Sequence, residues 1–196
     1  MKPALLVLGL LLGLSTGNVA RAENARAIFA SGCFWCTESD FEKLEGVTSV
    51  VSGYTGGTLA NPKYEQVGRG NTGHTEAVEI VYDPARISYA KLLDHFWRTH
   101  DLFDGDGQFC DQGSMYRPGI FYLDEAQKQA AEASKVQVQK KFNEKIQTEI
   151  TRAGTFWPAE EYHQNYYKEN SLRYRYYRSG CGRDGRIKEI WESAKP

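Results

Sequence analysis

The stretch RAIFASGCFWCTESDFEKL, residues 26–44, changes its hydrophobic period partway along. Arg26 to Ser31 is a short apolar run that suits a buried strand, and it stops at Gly32. From Phe34 to Leu44 the apolar residues fall at helical spacing. A strand, a glycine and a helix in immediate succession make a tight joint, and the rest of the chain supplies more such pieces. Val47 to Tyr54 is β-branched and runs into the turn Gly56-Gly57. Thr75 to Tyr82 alternates in the manner of a half-buried strand and is closed by Asp83-Pro84. Ser88 to His100 reads as a helix capped by Ser88. Pro118 to Leu123 reads as a further strand, Asp124 to Lys145 as a long amphipathic helix, and Thr148 to Thr151 as a short strand. Beyond these the chain is aromatic and irregular. Ser179 to Arg186, SGCGRDGR, holds three glycines in eight residues and is expected to be a mobile loop. Strands interspersed with helices argue an α/β two-layer sandwich.

The two ends bound where that domain lies. Lys2 is followed by an apolar run from Ala4 to Leu14, and Ala20-Arg21-Ala22 reads as a cleavage site. A run this short falls below the roughly twenty residues of a bilayer span. Residues 1–22 are therefore expected to be a signal peptide, and 23–196 a single exported domain, periplasmic or extracellular, with its core over about 26–170 and a tail over 171–196. No repeat or Pro/Ser-rich linker marks a second domain. The formal net charge is -1, which implies neither a nucleic-acid nor an anionic membrane partner. No helical interface is obvious, and a monomer is expected. Twelve Tyr and four Trp exceed what a core needs and suit a pocket built from rings.

Four cysteines, at 33, 36, 110 and 181, leave several chemistries open. Cys33 stands between a strand end and a helix start, where outward-pointing N–H groups and the helix dipole stabilise a thiolate and lower a thiol's pKa. Gly32 permits the turn and a close approach of substrate. Phe34 and Trp35 place apolar walls beside the sulfur, suited to a small substituent such as a methyl. Cys33 and Cys36 also form a C-x-x-C, the pattern of a thiol–disulfide oxidoreductase, although a Phe-Trp pair would crowd a protein disulfide. Structural zinc usually needs two close ligand pairs, and only one is present; no metal, flavin or nicotinamide site is visible. An inert structural disulfide completes the alternatives.

Gly32-Cys33-Phe34-Trp35 resembles the signature of the A-type peptide methionine sulfoxide reductases, and further blocks follow in that family's order. They are Gly53-Tyr54-Thr55-Gly56-Gly57, Asn61-Pro62 with Tyr64, and Gly73-His74-Thr75-Glu76-Ala77-Val78. Asp111-Gln112-Gly113-Ser114-Met115-Tyr116-Arg117 and Ala159-Glu160-Glu161-Tyr162-His163-Gln164 come after. Together they span most of residues 28 to 166. The resemblance implies a two-layer α/β sandwich with a mixed or antiparallel sheet, a ferredoxin-like core and long loops. It implies reduction of methionine S-sulfoxide, free or in oxidised proteins, without a cofactor and with electrons from a thioredoxin-like dithiol.

The resemblance also assigns roles. Cys33 matches the thiolate that attacks the sulfoxide sulfur and is left as a sulfenic acid. Glu76 matches the acid that protonates the departing oxide, a task that suits a carboxyl whose pKa is raised by an apolar pocket. Tyr64 and Tyr116 match two phenols that hydrogen-bond the oxide, Asp111 a supporting carboxylate, and Phe34 and Trp35 the walls of the methyl pocket. His74 and His163 read as structural. A sulfenic acid condenses with a nearby thiol, and many relatives carry that thiol on a Gly-rich C-terminal loop. Cys181 fits this description and is the expected resolving residue, with Cys36 as the alternative. Cys110 is then a plain buried thiol or half of a structural disulfide, with Cys36 as one possible partner. Two rival functions remain: disulfide exchange through Cys33 and Cys36, and a binding module without turnover.

Overall fold

The computed structural model describes residues 23–195. The signal peptide expected over 1–22 lies outside the described residues. Strand β1 (Ala25–Ala30) leads into helix α1 (Phe34–Phe41), then β2 (Val47–Thr55), the short α2 (Tyr64–Gly68), β3 (Thr75–Tyr82) and α3 (Tyr89–Phe96). A small hairpin of β4 (Gly107–Gln108) and β5 (Asp111–Gln112) precedes β6 (Gly119–Tyr122), α4 (Glu125–Gln139), β7 (Glu149–Arg152) and β8 (Trp157–Pro158). Three helices end the chain: α5 (Tyr166–Glu169), α6 (Ser171–Gly180) and α7 (Arg183–Glu192).

The main sheet runs β7-β6-β1-β3-β2-β8. All its neighbours are antiparallel except β6 and β7, which lie parallel. Its four central strands, with α1 and α3 as crossovers, form the βαββαβ order of a ferredoxin-like core. Because side chains alternate along a strand, each strand feeds two layers. Ala27 and Phe29 of β1 and Val78 and Ile80 of β3 face the helices and pack with Phe41, Leu92, Leu93 and Phe96. Ile28, Ala30, Ala77 and Phe121 face the opposite way and are covered by Leu123, Ala153 and Phe156. Glu76 shares the parity of Val78 and Ile80, so β3 aims a carboxyl at the helix layer, directly across from Tyr54 of β2.

Two expected elements differ most, and the helices from Phe34 and Tyr89 also end early, at Phe41 and Phe96 rather than Leu44 and His100. The helix starting at Glu125 stops at Gln139 rather than Lys145 because Phe142 and Ile146 turn into the core. The Gln139 side chain secures that turn, accepting from the Ile146 N–H (2.9 Å) and donating to the Glu144 carbonyl (2.8 Å). The tail is not a mobile loop. Gly180 ends α6, Gly185 lies inside α7, and Gly182 makes the bend between them at φ 69°, where a side chain would be strained. Side chains then fasten the bend. Arg183 is 2% exposed and donates to the carbonyls of Ser31 (2.9 Å) and Thr99 (2.5 Å), Ile190 enters the main core, and Cys181 is disulfide-bonded to Cys110. Among the described residues no helix is long and apolar enough to cross a membrane.

Candidate active site

The joint between β1 and α1 builds the site. Gly32 has φ +85°, and a Cβ there would fall 2.5 Å from Cβ of Gln108, so the turn is closed to larger residues. Cys33 caps α1, its carbonyl accepting the Thr37 N–H at 3.2 Å. Beside it lies a cavity of about 140 Å³ lined by Cys33, Phe34, Trp35, Tyr64, Glu76, Asp111, Tyr116 and Tyr177. The seven residues singled out around Cys33 for attack, protonation and substrate contact thus converge on one small space. They come from α1, α2, β3, β5 and the 3-10 turn Ser114–Tyr116.

Burial sets the protonation states. Glu76 is 2% exposed, and its carboxyl is pushed well above the usual carboxylate range by loss of solvent, with Asp111 and Cys36 adding to the rise. The Phe34 N–H, donating to Oε2 at 2.8 Å, opposes this without overcoming it. Glu76 therefore takes the first free N–H of α1, which was expected to serve the thiolate. Tyr64 and Tyr116 line the cavity side by side, and burial pushes both phenols up, so they remain O–H donors near neutrality. Burial also raises Asp111, against a hydrogen bond from Tyr177.

The two cysteines of α1 titrate as a pair. Cys33 and Cys36 lie three residues apart, on one helical face and in one packed cluster. Burial, then Cys36 and Glu76, push the Cys33 thiol well up. The Cys33 thiol lowers Cys36 to about 7, helped by the guanidinium groups of Arg183 and Arg178. The resting charge of the pair thus sits on Cys36, and the depressed pKa expected at Cys33 belongs to its neighbour. The reason is geometric: the helix N-terminus serves Glu76, while the buried cations lie on the Cys36 side.

Supporting contacts hold the walls in place. Trp35 stacks on Tyr166 with ring centroids 3.7 Å apart and donates its Nε1–H to Nδ1 of His163 at 3.1 Å. His163 packs on Phe34 and Tyr64. Glu160 accepts from the Tyr54 hydroxyl (2.9 Å) and from the Tyr64 N–H (3.1 Å), placing the start of α2. His74 accepts the Gly57 N–H on Nδ1, so Nε2 carries the proton that meets the Leu59 carbonyl at 2.8 Å, which braces the turn before β3. Among the described residues no group of three or more His, Cys, Asp or Glu converges as metal ligands would.

Cys181 is not at this cavity's wall: it is bonded to Cys110, 71 residues away in sequence, while Cys33 and Cys36 are free thiols. The expectation that a swinging tail delivers Cys181 to Cys33 does not fit a cysteine locked between two helices. Tyr177 was not anticipated. It stands in the run RYRYYR, where no spacing sets one tyrosine apart from the others. Arg183, hidden in the glycine-rich segment, gave no signal either.

A free thiol facing a carboxyl held neutral in a cavity walled by rings, with a second free thiol behind it on the same helix, defines a site for thiol-based redox chemistry on a small group. Comparison with known proteins narrows that class. The model of the family described as "Peptide methionine sulfoxide reductase" matches residues 25–195. The peptide methionine sulfoxide reductase MsrA 2 of Rhizobium meliloti is 48% identical over 170 residues, covering 87% of this chain and 85% of that protein. The crystal structure of Mxr1 from Saccharomyces cerevisiae in reduced form is similar with a TM-score of 0.73 at 31% identity, over 80% of this chain and 91% of that one. Mxr1 in complex with Trx2 matches with a TM-score of 0.54 at 26% identity, over 78% of this chain and 91% of that one. The chain belongs to the peptide methionine sulfoxide reductase family and is of the MsrA type.

Proposed function

We propose that the protein reduces methionine S-sulfoxide, free or within oxidised proteins, to methionine, with Cys33 as nucleophile and Glu76 as acid. The observation that carries this reading is a buried, neutral carboxyl bound to the N–H next to Cys33, inside a cavity of about 140 Å³. The Cys33 thiol passes its proton to the neighbouring Cys36 thiolate, and the Cys33 thiolate attacks the sulfoxide sulfur. Glu76 supplies the proton that the oxide needs, and Tyr64 and Tyr116 hold that oxygen by hydrogen bonds. Phe34 and Trp35 enclose the methyl group, and Asp111 orients the substrate's polar portion. The hydroxyl passes from the substrate sulfur to the Cys33 sulfur as the S–S contact and the substrate S–O bond break, so methionine leaves and Cys33 is left as a sulfenic acid.

Cys36 then resolves it: its thiol condenses with the sulfenic acid, releasing water and forming the Cys33–Cys36 disulfide. The place of both cysteines in one packed cluster and the low pKa of Cys36 support this assignment, and engagement with Cys110 weighs against Cys181. A thioredoxin-like dithiol returns the pair to thiols and is itself oxidised, a partner suggested by the complex of the related Mxr1 with Trx2. The protein works as an exported monomer, periplasmic or extracellular; the Ala20-Arg21-Ala22 site and a disulfide outside the cavity support export.

The test is turnover of a methyl sulfoxide with separated epimers and dithiothreitol as reductant. Consumption of the S-epimer alone, crippled by Cys33→Ser and by Glu76→Gln, is the expected result. The C-x-x-C favours thiol–disulfide exchange as the second reading. Intact sulfoxide with efficient reduction of insulin disulfides would put that reading first.

A further inference from the structure

Two contacts join residues 110 and 111 to helix α6, and they lie side by side. Cys110 is bonded to Cys181, which closes α6, and Asp111 accepts a hydrogen bond from the Tyr177 hydroxyl. Tyr177 and Cys181 are one helical turn apart, so both face the same segment. Tyr177 and Cys33 line the same small cavity and belong to one packed cluster, and the Tyr177 ring meets Trp35 edge-on at 6.0 Å. Tyr177 therefore neighbours the reacting sulfur and binds Asp111, with a covalent tie one turn along the same helix.

We propose that Tyr177 is a further catalytic residue, the hydrogen-bond donor to the charged Cys33 sulfur, and that the Cys110–Cys181 disulfide holds it in position. This deepens the reading of Cys33 as the nucleophile and rests on it. A phenol has one O–H and can donate to one acceptor at a time. In the resting site that hydrogen goes to Asp111, while the Cys33 sulfur is protonated and carries no charge to stabilise. When Cys33 gives its proton to Cys36, the sulfur becomes an anion, and the Tyr177 O–H turns to it. Placement of this donor depends on a helix with little anchorage of its own, since α6 buries only Tyr174. Arg178 adds an ion pair to Asp40 at 2.8 Å, and the disulfide adds the one covalent tie between α6 and the segment carrying Asp111.

The experiment compares the wild-type chain with Tyr177→Phe, with Cys110→Ser/Cys181→Ser, and with the triple variant. Two quantities are read without added reductant: the rate of the first turnover of a methyl sulfoxide, and the pH midpoint for alkylation of Cys33 by iodoacetamide. Tyr177→Phe is expected to slow the first turnover by roughly tenfold to a hundredfold and to move the midpoint upward. The serine pair is expected to do both in part, and the triple variant to be no worse than Tyr177→Phe, because one contact acts through the other. Should the serine pair not fold, reducing the bond in the wild-type chain with dithiothreitol, which is oxidised to its cyclic disulfide, makes the same comparison of midpoints. A Tyr177→Phe protein with wild-type rate and midpoint overturns the donor. A serine pair with unmoved rate and midpoint, or a triple variant with additive losses, overturns the clamp. If the wild type forms no methionine, the reductase reading fails, while the alkylation midpoint still decides whether Tyr177 acts on Cys33.

Discussion

Cys33 and Cys36 stand three residues apart at the start of α1, buried, reduced and within the field of a carboxyl and two guanidinium groups. Cys110 and Cys181 stand 71 residues apart, at the surface, joined to one another. The thiols of the first pair share a proton, and their chemistry is set by what surrounds them. The second pair has no titratable proton and acts by geometry, tying a loop to a helix. Residue type is identical in the two regions, so the difference must come from burial, neighbouring charge and chain placement. Three thiols free of pairing would have made any of them a candidate to meet Cys33; the tie between 110 and 181 leaves Cys36.

The sharpest break of that comparison is removal of the nucleophile. Cys33→Ser should lower sulfoxide turnover by about three orders of magnitude or more, while the Cys110–Cys181 bond persists in a non-reducing peptide map. Glu76→Gln should follow with a loss of about 10²–10⁴-fold, the usual worth of a positioned acid, measured with saturating sulfoxide. Cys36→Ser should still release one methionine per enzyme molecule, then turn over about tenfold or more slowly with a thioredoxin-like donor, because the sulfenic acid must meet an external thiol. Cys181→Ser should keep cycling with the thioredoxin-like donor, with only the smaller, partial loss that follows from loosening Tyr177. Identical losses in these last two variants would erase the distinction between the pairs.

Smaller effects sharpen it. The serine pair at 110 and 181 should lose about 2–4 kcal/mol of stability, read as a lower Tm in a thermal melt, whereas Cys36→Ser forms no fewer bonds in the resting protein. The pH profile of turnover should rise through about 7, where the pair at α1 loses its first proton, and fall at higher pH as Glu76 loses its own. Stability carries the same signature. The folded pKa of Glu76 is raised, so its contribution is fully present below the unfolded carboxyl range and is lost as pH rises through the folded value. Glu76→Gln should therefore raise Tm by a few degrees at pH 8, with no gain at pH 4. A Tm gain at both values would show that burial of a charge is not what Glu76 costs the fold.

Much of the fold was legible because local pattern and tertiary role agreed. The alternation of Thr75–Tyr82 gave the strand with both ends in place, and Ser88 caps α3 as its position suggested, its hydroxyl accepting from the Lys91 N–H. The tail was not legible for the opposite reason. Glycines at 180, 182 and 185 speak for freedom, but only one of them makes a bend, and the fixing contacts come from residues far along the chain: Cys110, Ser31 and Thr99.

By itself, the sequence determined the strand–glycine–helix joint at 26–44 and the interspersing of strands with helices, which follow from periodicity along the chain. The ferredoxin-like core and the candidate site residues came from the resemblance to the reductase family, carried by blocks of residues in order. Tertiary structure alone decided that Cys181 pairs with Cys110 and that Tyr177 lines the cavity beside Cys33. It also decided that burial raises the Cys33 thiol while its neighbour Cys36 is lowered. Those outcomes depend on distances between segments far apart in sequence, and on the loss of solvent around a buried group, neither of which any local pattern records.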